Sequence, residues 1–195
     1  MPAPESTRLI LIRHAPTDAG GRLAGRRDPP ARLPGAEAIA RARETLATLV
    51  AGPLRLVTSP AQRCRETAEA LFPGVAATAD PRLWEQDFGA WEGLPPEDLP
   101  DLGPLGRDAL AAQRPPGGES FLDLVSRTGL ALSALTTGGT TVVVAHAGTV
   151  RAALGLALAA PEAGLAFEVA PLSATSLLAL PGGAWSVGFV NRSLT

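Results

Sequence analysis

The chain has two histidines, and both stand where a short apolar run stops: Leu9-Ile10-Leu11-Ile12 leads into Arg13-His14, and Val142-Val143-Val144-Ala145 leads into His146. Such runs of branched residues read as buried strands of a parallel sheet. In open α/β sheets the carboxyl ends of the strands face a crevice where loops and helix amino termini converge, so both imidazoles fall where ligands bind. A single histidine at a strand end is more often a packing residue than a reactive one; two, with no third in the chain, favour chemistry. Arg13 adds a permanent forked cation that suits a phosphate or carboxylate, and the combination points to a phosphoryl group.

A further cation comes from the next strand and helix. Leu54 to Val57 predicts a strand, and Thr58-Ser59-Pro60 predicts the start of a helix reaching about Leu71, with Ser59 as cap, Pro60 at the first helical position and Gln62 completing a capping box. Arg63 then lies in the first turn, beside unpaired amides and the positive pole of the helix, where an anion would bind. The plainer alternative is a surface arginine paired with a carboxylate. Arg65 and Glu69, four residues apart, read as such a pair, and Cys64 as a small buried residue. All 17 basic residues are arginine, so position and not number carries the argument.

The elements that would hold these groups alternate between strand and helix. Arg8 to Ile12 is a strand, Gly20 to Pro34 a Gly-, Pro- and Arg-rich loop over the site, and Glu37 to Val50 a helix with Ile39, Leu46 and Leu49 or Val50 inward. Asp80 to Gly118 reads as a long connection with one short helix around Leu105 to Gln113, covering one edge of the site. Glu119 to Leu135 is a helix with an apolar stripe of Phe121, Leu124, Val125, Leu132 and Leu135. Thr141 to Ala145 is a strand, a helix starts near Gly148, and Leu165 to Val169, Ser176 to Leu180 and Trp185 to Val190 read as closing strands.

At 195 residues and 46% hydrophobic, the chain fits a single domain spanning residues 1–195 around one core. A net charge of −2 and no basic block argue against a nucleic-acid partner. One cysteine cannot form an internal disulfide, which suits a reducing compartment. Met1 to Thr7 lacks the basic and long apolar regions of a secretory leader. The longest apolar run, Ala152 to Ala160, is roughly half of the ~20 residues that cross a bilayer. These features lead to the expectation of a soluble, cytoplasmic protein without a membrane partner.

Five segments, in order, resemble the histidine phosphatase superfamily, to which phosphoglycerate mutase also belongs. They are Leu11-Ile12-Arg13-His14-Ala15-Pro16-Thr17, Ser59-Pro60-Ala61-Gln62-Arg63, Leu83 to Gly93 (LWEQDFGAWEG), Pro116-Gly117-Gly118-Glu119-Ser120-Phe121, and Val144-Ala145-His146-Ala147-Gly148. The resemblance implies an α/β three-layer sandwich with a mainly parallel central sheet and helices on both faces. It implies a phosphomonoester as substrate, no cofactor and no metal, and it admits a homodimer.

The resemblance also assigns roles. His14 would attack phosphorus and carry the phosphoryl group, which requires an unprotonated ring nitrogen. Arg13, Arg63 and His146 would surround the equatorial oxygens, where charge spreads during phosphoryl transfer; beside them, Thr17 reads as a hydroxyl donor to phosphate or, equally, as a turn cap, and Arg26 as a further phosphate or substrate contact. Nearby cations would lower the pKa of His14. Glu85 would protonate the leaving alcohol, with Trp84, Phe88 and Trp91 close in sequence to desolvate its carboxyl and favour the protonated form; Asp87 is the fallback acid. Glu92, Glu119 and Asp123 read as caps or loop braces. Three positions depart from the family pattern: Ala15 replaces the usual glycine after the histidine, Pro16 a frequent acidic residue, and Gly20 a common asparagine. The core quartet is intact, so activity is expected.

Hydrolysis is favoured over transfer to a second acceptor, because mutases of this kind carry an extra basic segment and the corresponding region here offers only Arg107 and Arg114. The loop Gly21 to Asp28 and the ending Trp185 to Asn191 are similar to those of α-ribazole phosphatases of cobalamin assembly, although broad-specificity sugar phosphatases share most of these features. Arg22, Arg26 and Arg27 are candidate substrate contacts, with a solvated loop the equal alternative. Two other classes compete. A two-histidine metal site would need further ligands, and the arginines would repel a divalent cation; a catalytically silent phosphate-binding module would not need the whole quartet.

Overall fold

Alternate residues of the apolar strands decide the layers, because successive side chains of a strand leave opposite faces of the sheet. The computed structural model describes residues 6–50 and 52–195; Met1 to Glu5, most of the stretch read as lacking a leader, lie outside the described residues. The strands are β1 (Thr7–Arg13), β2 (Leu54–Thr58), β3 (Ala77–Ala79), β4 (Gly139–Ala145), β5 (Ser173–Ala179) and β6 (Trp185–Ser193), in the sheet order β3-β2-β4-β1-β5-β6. β1 to β4 pair in parallel, whereas β5 pairs antiparallel to β1 and β6 antiparallel to β5, so β5 alone is reversed.

Ile10, Ile12, Val142 and Val144 point to one face, against Ala42 and Leu46 of α1 (Ala36–Leu49) and Cys64, Ala68 and Leu71 of α2 (Gln62–Leu71). Leu9, Leu11, Val143 and Ala145 point to the other, against Ala131 and Leu132 of the helix Phe121–Ala134 and Val150, Ala153 and Leu154 of the helix Ala147–Ala157. With the short α3 (Arg107–Ala112) ahead of them in the chain, these last two are α4 and α5. The architecture is thus the expected three-layer α/β sandwich. Among the described residues no helix is long and apolar enough to cross a membrane.

This layering puts the chemistry at one place. β1 and β4 are neighbours with Arg13 opposite Ala145, and the His14 amide donates to the Ala145 carbonyl at 2.9 Å, so the two histidines emerge side by side. Beyond that edge the chain leaves β1 toward the α1 face and β4 toward the α5 face, the divergence that opens a crevice in α/β sheets.

Three local expectations are corrected, and one short strand had no sequence reading. α2 begins at Gln62 with Ala61 at its cap and no side-chain cap, so Ser59 and Gln62 form no capping box. Instead Asp28, from the distant loop, accepts from the Gln62 amide at 2.8 Å. Arg65 and Glu69 are not among the ion pairs of the fold. Leu165 to Val169 is not a strand: Pro161–Ala166 forms a 3-10 helix, and the Phe167 and Val169 carbonyls are taken by Arg151 Nε (3.0 Å) and Arg13 Nη1 (2.6 Å). Short, exposed β3 has no apolar alternation to announce it.

Leu11 is fully buried in the central strand. Leu11→Ala is expected to lower unfolding stability by about 2–5 kcal/mol, seen as a lower urea midpoint with an unchanged slope.

Candidate active site

His14 follows β1 with its ring in the crevice. Its Nδ1 lies 2.6 Å from the Ala15 carbonyl, and a carbonyl only accepts, so Nδ1 carries the proton and Nε2 keeps the free lone pair. Burial, reinforced by the charges of Arg63 and Arg13, holds its pKa at about 3, and the ring is neutral near neutral pH. The turn after it is pinned by the Ala15 amide, which donates to Thr67 Oγ1 at 3.0 Å, while that hydroxyl donates to the Arg63 carbonyl at 2.6 Å. Ala15 is fully buried and has no positive φ, so the methyl group in place of glycine fills core volume without strain.

His146 caps α5 with no exposed surface, its ring edge-on to His14 at 5.2 Å between centroids. Arg63 Nη2 can only donate and lies 3.2 Å from His146 Nδ1, which therefore accepts. Nε2 then carries the proton and donates to Ser59 Oγ at 2.8 Å. Burial foremost, then Arg63 and His14, holds this ring neutral as well. Both nitrogens of His146 are thus spent inside the protein. Ser59, read as a helix cap, is instead the acceptor that orients this ring. Cys64 Sγ lies 3.5 Å from the same Nε2, and burial pushes its thiol pKa up, so it fills space and is no nucleophile.

Arg63, read as bordering an open helix terminus, is only 1% exposed. Its Nη1 donates to the Arg27 carbonyl (3.0 Å) and faces Asp28 (3.4 Å), and its Nη2 donates to the Gly25 carbonyl (3.0 Å) as well as to His146. The loop residues Ala24 to Asp28 therefore sit on the guanidinium, and the anion at this helix terminus is the chain's own Asp28. Gly25 is required there, because a Cβ would run into the Gln86 carbonyl and the Glu92 carboxylate.

Glu85 is placed by two helices. Its Oε2 accepts from the Gly148 amide at the start of α5 (3.2 Å), where a Cβ on Gly148 would collide with the carboxylate. From α4, Arg127 donates to the Trp84 and Glu85 carbonyls at 2.7 and 2.8 Å and pairs with Glu119 at 2.8 Å, fixing the segment that carries Glu85. No local sequence signal marks Arg127 as a support of Glu85, because its Trp84 and Glu85 carbonyl partners lie 43 and 42 residues away in the chain. Of the aromatic residues expected around Glu85, Phe88 lines the same cavity, while Trp84 stacks on His146 with ring centroids 6.5 Å apart.

These groups line a cavity of about 240 Å³ with Arg13, His14, Thr17, Arg22, Arg63, Glu85 and Phe88 on its walls. Arg13 is tied to Val169, and its Nε is a buried donor without an acceptor among the described residues. Arg26 is not brought to this cavity. It lies over Trp84 at 5.6 Å and faces Asp87 and Glu119 at 3.7 and 3.6 Å, which also occupies the fallback acid, while Arg22 lines the cavity in its place. The brace readings hold for Glu92, Glu119 and Asp123, the last in a capping box with Ser120 at the start of α4. Chemically, the cavity offers a neutral imidazole nitrogen, guanidinium donors for an anion, and one carboxyl group for proton transfer.

The neutral rings make stability pH-dependent. Unfolded histidines take up a proton near pH 6.5, and the buried rings do not, so below about 6.5 the unfolded state binds more protons and stability falls with pH. From about pH 6.5 to 4.5, above the carboxylate range, each ring is expected to remove up to about 1.4 kcal/mol per pH unit. His14→Asn halves that slope in urea titrations across this window.

A family model of the histidine phosphatase superfamily (branch 1) matches residues 9–192. Bifunctional protein Rv2228c of Mycobacterium tuberculosis H37Rv is 34% identical over 200 residues, a match covering 96% of this chain and 54% of that protein. The chain thus spans about half the length of the curated relatives it matches. Among solved structures, Mycobacterial hydrolase 1 superposes with a TM-score of 0.83 at 28% identity, covering 97% of this chain and 100% of its own. Mycobacterial glucosyl-3-phosphoglycerate phosphatase Rv2419c, in complex with VO3, gives 0.80 at 28%, covering 95% and 99%. A candidate alpha-ribazole-5'-P phosphatase of Escherichia coli gives 0.76 at 24%, covering 96% and 98%, a likeness of fold. With nearly its whole length matched by the family pattern, the chain belongs to the histidine phosphatase superfamily.

Proposed function

We propose that the protein is a phosphomonoester hydrolase working through a phosphohistidine on His14. The observation that carries this reading is the tautomer of His14: the Nδ1 proton is held on the Ala15 carbonyl, leaving the Nε2 lone pair in a pocket lined by arginines and one carboxyl group. Nε2 attacks phosphorus and the bond to the alcohol oxygen breaks. Arg13 and Arg63 stabilise the equatorial oxygens, with His146 behind Arg63, and Glu85 delivers a proton to the departing alkoxide. Water then attacks the phosphohistidine, Glu85 accepts its proton, and inorganic phosphate leaves. Thr17 supplies a hydroxyl at the cavity wall. Kinship with a glucosyl-3-phosphoglycerate phosphatase at 28% identity supports hydrolysis of a metabolite phosphomonoester. Within that class we rank α-ribazole 5′-phosphate first, on the likeness of the loop Gly21 to Asp28 and of the ending Trp185 to Asn191, ahead of a sugar phosphate or a phosphoglycerate mutase substrate.

Turnover of a generic aryl phosphate in the presence of a chelator is expected to continue; its arrest would point to a metal enzyme, and its absence from the start to a silent binding module. His14→Ala is expected to lower kcat by at least about a thousandfold, and acid-labile label on the protein after rapid quenching should vanish with it. Glu85→Gln is expected to cost about 10²–10⁴-fold, most for alkyl esters, whose leaving alkoxides need the proton. A panel of α-ribazole 5′-phosphate, glucosyl-3-phosphoglycerate, 3-phosphoglycerate and sugar phosphates ranks the substrates, and equal slow rates throughout would remove the ribazole assignment.

A further inference from the structure

A second cavity of about 240 Å³ lies beside the His14 pocket and shares two walls with it, Leu23 and Phe88. The rest of its lining includes Trp91, Leu102, Leu110 and Leu165 and no charged side chain. Gln86 and Gln113 are its polar side chains, and Gln86 Nε2 is already committed to the Glu119 carbonyl at 2.7 Å. The shared walls are held before any ligand arrives: the Leu23 amide and carbonyl pair with Leu94 and Gly93 at 3.0 and 2.8 Å, and the Phe88 amide donates to Glu92 at 3.2 Å. Leu110, on short α3, lines this cavity and is 43% exposed, so its side chain is open to solvent as well.

We propose that this cavity receives the carbon portion of the leaving alcohol, so that the protein selects phosphomonoesters of aryl- or alkyl-bearing alcohols over those of polyols; the proposal rests on the reading of His14 as the phosphoryl acceptor. A ring or short chain entering it leaves water for apolar walls. The hydroxyls of a polyol would exchange water for a wall of mostly leucine and aromatic side chains, with Gln113 and the Gln86 Oε1 as its few polar partners, which costs binding. Below the roughly 300 Å³ of the smallest drug-sized sites, the cavity suits one small ring system and not a large ligand. A larger space of about 520 Å³ lies along the same loop, lined by Asp18, Arg22, Arg27 and Asp28, and its charges of both signs would suit a polar alcohol instead.

The test compares kcat/KM for phenethyl phosphate and glycerol phosphate, both esters of primary alcohols, so that leaving-group basicity does not decide the result. The expected outcome is a preference of about tenfold or more for the phenethyl ester. Leu110→Asp, which brings charge to the rim away from the catalytic groups, should erase that preference while glycerol phosphate turnover and inhibition by inorganic phosphate stay as they were. Leu102→Ser should act in the same direction. Turnover of both esters without a phenethyl preference, or a preference untouched by both variants, overturns the cavity assignment and leaves the phosphohistidine reading standing. If neither ester is turned over, that reading falls and the assignment falls with it.

Discussion

The structure around the site depends on the enclosure of a guanidinium that cannot give up its charge. A buried arginine must find acceptors for its donors, because neither deprotonation nor water relieves it. Arg63 finds them in the Gly25 and Arg27 carbonyls, the Asp28 carboxylate and the lone pair of His146 Nδ1. Each acceptor then carries its own requirement. The loop must press against the Gln86 to Glu92 segment while its carbonyls face Arg63, so residue 25 has no side chain; Asp28 must stand at the start of α2, where it also takes the Gln62 amide; and His146 must keep its proton on Nε2, which needs Ser59 as an acceptor.

The two imidazoles consequently hold opposite tautomers in the same crevice. His14 has a carbonyl against Nδ1 and bares Nε2, whereas His146 has an arginine against Nδ1 and buries Nε2. The difference is set entirely by whether the Nδ1 partner can donate or accept. One ring is left with a free lone pair and the other spends both nitrogens on its neighbours, although their sequence surroundings look alike.

The sequence made legible what local pattern encodes. Apolar runs ending at His14 and His146 placed both rings at adjacent strand ends, and the stripe from Phe121 to Leu132 gave α4 with its buried side correctly assigned. Contacts between distant segments stayed hidden. Arg127 supports the Glu85 segment from α4, and nothing near it in the chain distinguishes it from a solvated helix residue. Ser59 looked like a cap because the residues around it fit one, but the His146 ring arriving from β4 claimed its hydroxyl. Leu165 to Val169 has strand composition, yet the Phe167 and Val169 carbonyls accept from two arginine side chains instead of pairing with a strand. Arg26 was drawn from the expected phosphate contact by Trp84 and two carboxylates that are remote in sequence.

Glu92 gathers the backbone amides of Gly25, Arg26, Arg27 and Phe88. The roof over Arg63 and the wall carrying Phe88 are thereby riveted into a common plate, although some sixty residues separate them along the chain. Neither can swing away alone. Any breathing motion that admits a bulkier molecule has to tilt this plate as a whole, and length changes tolerated by either segment must preserve the rivet.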